Sequence, residues 1–135
     1  MTESKHGLVQ AWLIKASRDL ASARTLAYAE NPLLDTAIYH CQQAAEKAVK
    51  GFLVFHDIRF EKIHLVGKLV ALAATVVPQF AAYEERAEFL TPFATTFRYP
   101  GEALDVAFDE FEEALQNAED LYAFVLSLLP KEVRP

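Results

Sequence analysis

Tyr39-His40-Cys41-Gln42-Gln43-Ala44-Ala45-Glu46-Lys47-Ala48-Val49-Lys50-Gly51-Phe52-Leu53 is the stretch whose reading decides the fold. At 100° per residue, His40, Gln43, Glu46, Lys47 and Lys50 fall within about 120° of one another, and Tyr39 joins the same arc. The opposite side carries Cys41, Ala44, Ala45, Ala48, Val49 and Phe52. Its alanines let a second helix approach closely. The pattern extends over residues 33–55, a helix of about six turns. Periodicity alone leaves the polar stripe open between a solvated helix face and a site for an anion or a partner. In the second reading Lys47 and Lys50 are the cations, and His40 and Gln43 supply hydrogen bonds.

Working outward, a first helix is expected over residues 8–29, where Trp12, Ala16, Ala23 and Ala27 recur at helical spacing with Leu13 and Leu20 beside them. Asn31-Pro32 reads as a stop followed by a start, because Asn caps well and Pro suits the first helical position. After residue 55 the periodicity lapses through His56-Asp57-Ile58-Arg59-Phe60-Glu61-Lys62-Ile63-His64, which reads as a loop. His64 is placed to cap a third helix over 65–77, ended or kinked by Pro78. A fourth helical segment is expected over 79–97 with a break at Thr91-Pro92. Arg98-Tyr99-Pro100-Gly101 is a turn by composition. The last helix is expected over 104–129, with Phe108, Phe111, Leu115, Ala118, Tyr122, Val125 and Leu129 in a 4-3 apolar pattern. No segment alternates with period two over a strand length, and there is no internal repeat. The expected fold class is all-α: an antiparallel up-and-down bundle of four to five helices, one domain over residues 1–135.

Composition sets the limits on function. The chain has 135 residues, 53% of them hydrophobic, enough to bury a core in one domain. The net charge of −6 argues against general nucleic-acid binding. That charge is concentrated: residues 102–120 hold eight acids and no base, leaving the rest slightly basic with room for a local anion site. Cys41 is the sole cysteine, so no intrachain disulfide forms, which suits a cytoplasmic location. The N-terminal residues lack the apolar core of a secretory signal, and the most apolar run, 69–83, is too short to span a membrane and is interrupted by Pro78. The four histidines show no metal-ligand spacing. No glycine-rich phosphate loop, zinc pattern or Ser-His-Asp order is present, so no metal or cofactor is expected.

Two more positions carry chemistry. Asp19 projects onto the stripe of Trp12, Ala16, Ala23 and Leu26, where a carboxylate is costly unless paired. The expected partner across the bundle is Lys47 or Arg98; the alternative is a wet position at the stripe's edge. Arg98, in a Pro-Gly turn, has the planar fork that grips carboxylate or phosphate. It serves either a ligand or a helix end.

The 39–53 stretch closely resembles the central helix of HEPN domains. Asp19-Leu20 with Ala23, His64-Leu65 with Leu69, and the Arg98-Tyr99-Pro100 turn resemble that family's remaining pattern, in order along nearly the whole chain. The resemblance implies a helical bundle, often dimeric, similar to the substrate-binding helical domain of some aminoglycoside nucleotidyltransferases. It also implies a partner of the minimal nucleotidyltransferase kind, in toxin–antitoxin pairs among other settings. Asp19, His40, Gln43, Lys47 and Arg98 match the cluster associated with nucleotide or partner binding. With Lys50 of the stripe and Tyr99 of the turn, they form the candidate ligand-binding set.

Many HEPN proteins are metal-independent ribonucleases, with an Arg and a His four to six residues apart near the start of the last long helix. There His acts as base on the 2′-OH and Arg stabilises the phosphorane. This sequence departs from that pattern: no His follows Arg98. Arg59 and His64 have the spacing but sit in the expected loop. The expected function is therefore a non-enzymatic module that binds a nucleotide or nucleotide-derived ligand, a partner nucleotidyltransferase, or both, and forms a homodimer. The alternatives are a ribonuclease toxin and a pure interaction module that uses the acidic last helix.

Overall fold

The computed structural model describes residues 3–95 and 105–135, all of them helical or loop. Among the described residues there are five α-helices: α1 (Glu3–Ala27), α2 (Leu34–Phe55), α3 (Val66–Ala74), α4 (Glu84–Leu90) and α5 (Phe108–Leu128). Short 3₁₀ turns occupy Pro78–Tyr83, Thr91–Ala94 and Lys131–Val133. The all-α bundle matches the class expected from the sequence.

An antiparallel hairpin of α1 and α2 forms the frame. Its tight end is set by Leu33 N–H bonding Leu26 C=O at 3.1 Å, and its far end by Lys5 Nζ reaching Asp57 Oδ2 at 2.6 Å. Between them α1 buries Val9, Leu13, Ala16, Leu20, Ala23 and Ala27, a 4-3-4-3-4 ladder. Small residues on α2 allow a close approach: a Cβ added to Gly51 would lie 3.2 Å from Trp12 Cβ.

The end of α2 follows from its own residues. Asp57 adopts φ +57°, Ile58 N–H returns to Leu53 C=O at 2.9 Å, and Asp57 N–H returns to Val54 C=O at 3.1 Å. This is a Schellman closure with Asp in the position usually taken by Gly. Beyond it, Phe52, Phe80 and Phe124 pack ring to ring at 4.8 and 4.9 Å, joining α2, the 3₁₀ turn and α5. Past α5, Arg134 donates twice to Leu129 C=O, and Gln10 donates to Arg134 C=O, folding the C-terminal residues onto α1.

Several boundaries differ from the sequence reading. α2 starts at Leu34 with Leu33 as its cap residue and no side-chain cap bond, so Asn31 and Pro32 lie in the connection rather than at the helix start. α3 likewise follows Leu65, not a capping His64, because that imidazole is engaged elsewhere. The expected fourth helix is two 3₁₀ turns around a two-turn α4. Pro78 is the first residue of one of those turns and Pro92 the second residue of the other, positions where a missing N–H costs nothing. The break at Thr91-Pro92 is present. α5 begins at Phe108 rather than 104, and residues 98–101, read as a turn, lie outside the described residues.

Candidate functional site

Asp19 sits on the inner flank of α1, 7% exposed. Its Oδ2 accepts from Lys47 Nζ at 2.7 Å, and its Oδ1 lies 2.8 Å from His40 Nδ1. His40 and Lys47 are seven residues apart on α2, about two turns, so they flank the carboxylate along the helix. Both keep access to solvent, with 26% and 23% of their side chains exposed. The cross-bundle pairing expected for Asp19 is present, and Lys47 is its cation. Arg98 and Tyr99 lie outside the described residues.

The rest of the stripe behaves differently. Gln43, Glu46 and Lys50 are buried, contrary to a solvated face. Glu46 is the hub: it accepts from Lys50 Nζ at 3.0 Å and Gln42 Nε2 at 3.0 Å, and lies 2.9 Å from His64 Nδ1. Gln42 also donates to His64 C=O, and its own carbonyl accepts from Gln43 at 2.6 Å. Lys50 Nζ lies 5.7 Å from the ring centres of both Trp12 and Phe60, within cation–π range. The cause is tertiary: the 56–65 loop covers the flank of α2 that periodicity left open. Gln43 and Lys50 are thus already committed to a closed network, whereas His40 and Lys47 face outward. The i, i+4 run Gln42-Glu46-Lys50 was the sequence signal for this network.

Two grooves open on α1 on either side of Asp19. One, of about 330 Å³, is lined by Leu8, Ala11, Trp12, Lys15 and Lys47. The other, of about 450 Å³, is lined by Arg18, Ala21, Ser22, Thr25, Leu26 and His40. Sequence reading had Trp12 as a core marker and assigned no role to Lys15 or Arg18. The signal was available: 8, 11, 15, 18 and 22 recur at helical spacing on the side of α1 next to Asp19.

The remaining chemistry is quieter. Cys41 is fully buried, and burial chiefly, with Glu119 nearby, pushes its thiol up to about 12, so it is not a nucleophile at neutral pH. His56 is lowered from its usual value by burial and then by Lys5, which favours the neutral ring. Among the described residues no three His, Cys, Asp or Glu side chains are grouped to hold a metal ion. Nor is any helix there long and apolar enough to cross a membrane.

The HEPN domain family model matches residues 9–129, spanning both helices of the Asp19 cluster. The chain belongs to the HEPN family. The crystal structure of an archaeal HEPN homologue superposes with a TM-score of 0.73 at 28% identity, covering 89% of this chain and 96% of that one. Comparison with curated proteins gave no match.

HEPN membership brings the ribonuclease pair into view, and the geometry bears on one version of it. His64, the only His at the right spacing from an Arg, holds its Nδ1 on buried Glu46. That contact anchors the loop to the core of the bundle. Arg59 is exposed on the same loop, which precedes α3 and is far in sequence from the start of α5.

Proposed function

We propose that this HEPN domain is a non-enzymatic binding module, holding a nucleotide or nucleotide-derived ligand at the Asp19–His40–Lys47 cluster. The observation that carries the reading is the bridging of Lys47 and His40 by one nearly buried carboxylate between two open grooves. Asp19 fixes the direction of both side chains and leaves part of each available, so a ligand meets groups already oriented. Lys15 and Arg18 line the two grooves and raise the local positive charge. Arg98 and Tyr99, outside the described residues, complete the candidate set.

In the same reading the domain works as a homodimer and docks a minimal nucleotidyltransferase, in a toxin–antitoxin-like pair in the cytoplasm. Family membership and a lone buried thiol are the support for this setting. A thermal-shift screen of nucleotides tests the ligand, since a compound that binds only the folded state raises the melting temperature. Lys47→Ala and Arg98→Ala should each abolish the shift. A screen in which no nucleotide moves the melting temperature overturns the proposal.

A further inference from the structure

We propose that the end of the bundle where Tyr28 and Phe108 stand uncovered docks a basic segment of a partner protein, one that carries an apolar anchor. This surface is separate from the Asp19 cluster, since Tyr28 follows Asp19 by nine residues of helical chain, about 13 Å.

Three large apolar side chains remain in water at this end. Tyr28, just past α1, is 58% exposed; Leu33, just before α2, is 52% exposed; and Phe108, the first residue of α5, is 40% exposed. Tyr28 meets Phe108 edge to face at 5.6 Å and Phe111 at 6.2 Å. Phe111 is fully buried, so the outer two rings are held on the core with their remaining surface bare. Single exposed apolar side chains are ordinary, whereas a fixed aromatic pair rimmed by charge is the make-up of an interaction patch.

The rim has one sign. Residues 25–37 and 105–113, which form this end, carry seven acids and no lysine or arginine. Arg24, the nearest base along the chain, is engaged by Glu119 at 3.0 Å. Asp35, Asp109 and Glu110 lie in the first turns of α2 and α5, where the helix dipole favours an acid. Glu30 and Glu112 lie outside those turns, are exposed, and have no ion-pair partner among the described residues. Glu112 is i, i+4 to Phe108 and so its neighbour on the helix surface. Asp109 and Glu113 are also i, i+4, a like-charge pair that costs helix stability. A cation over this face relieves that repulsion and meets two aromatic rings at once.

Charge decides the occupant. A nucleic acid or an anionic membrane would be repelled. A second copy docking by the same end would set acids against acids. A neutral apolar segment would cover the rings but strip water from unpaired carboxylates. A segment with Lys or Arg spaced around an aliphatic or aromatic side chain satisfies both the rings and the rim.

A fluorescein-labelled amphipathic peptide of Lys and Leu tests this by anisotropy. It should bind wild type saturably, and added salt should weaken it. Peptides of the same length made of Lys and Ser, or of Glu and Leu, should require about tenfold or more higher concentration. Glu112→Lys and Phe108→Ser should each weaken the Lys–Leu peptide about tenfold; if Phe108→Ser does not fold, Glu112→Lys decides. Glu85→Lys, at an exposed position on α4, makes the same change in net charge and should leave binding unaltered. Equal weakening by Glu85→Lys and Glu112→Lys overturns the proposal, because attraction to net charge alone then accounts for the binding. Binding of the Glu–Leu peptide as tight as the Lys–Leu peptide overturns it, as does no binding of either. Self-association of wild type in sedimentation that disappears in Phe108→Ser overturns it in favour of a second copy.

Discussion

His64 Nδ1 lies 2.9 Å from Glu46 Oε1, so a half-exposed loop imidazole is tied to a carboxylate whose side chain is only 3% exposed. The same carboxylate holds Lys50, whose side chain is 8% exposed. Removing Glu46 therefore strands a buried ammonium. Glu46→Ala is expected to cost about 3–5 kcal/mol in urea denaturation. The double variant Glu46→Leu/Lys50→Met should recover most of that loss, because neither charge is then left unpaired. Equal loss in the single and double variants would show that packing, not charge, sets the cost.

Asp19→Asn should be milder. Its partners Lys47 and His40 are partly exposed and can turn to water when the carboxylate is gone. A loss of about 1.5–3 kcal/mol is expected for charged hydrogen bonds of this kind. Chemical denaturation of the ligand-free protein measures it.

Gly51→Val tests the close approach of α1 and α2. The first added carbon would already lie 3.2 Å from Trp12 Cβ and 3.4 Å from Leu13 Cδ2. The two further methyl groups must push the helices apart, a destabilisation of about 1–3 kcal/mol. A rise in melting temperature would mean that this crossing has slack.

Cys41 makes a prediction about pH. Its thiol is raised from 9.0 to about 12 in the folded chain, first by burial. Unfolding at alkaline pH therefore releases a proton. The contribution of Cys41 to stability is fully present below pH 9.0 and is lost as pH rises from there towards about 12. Wild type should lose stability faster than Cys41→Ala above pH 9.0. A thiol-reactive probe at pH 8 should label Cys41 only after denaturant is added.

Short single-stranded RNA incubated without metal should stay intact with wild type, His64→Ala and Arg98→Ala alike. Cleavage by wild type that disappears in His64→Ala would make His64 a catalytic group and replace the binding-module reading.

Much of this was legible in advance because helical periodicity is a local property. The apolar ladder of α5 and the break at Thr91-Pro92 came from residue spacing and from proline's missing N–H. Asp19 was suspect because a carboxylate on an apolar stripe demands a partner. The start of α2 falls within one residue of the expected one, but its cap is Leu33 rather than Asn31-Pro32, a good local start signal, because Leu33 N–H closes the hairpin on Leu26. The fourth helix failed as a single unit because residues 78–94 are apolar enough to look helical, while Pro78 and Pro92 each sit in the first two residues of a 3₁₀ turn.

By itself the sequence determined the three long helices, the all-α class, the HEPN resemblance and the need to pair Asp19. Only the tertiary structure divided the polar stripe of α2. It sealed Gln43 and Lys50 into a network around Glu46, kept His40 and Lys47 partly exposed, and set Trp12 and Lys15 beside Lys47. Periodicity states which residues share a face of one helix, whereas burial of that face depends on what packs against it. Here the 56–65 loop and α1, distant along the chain, decided which charges stayed in water.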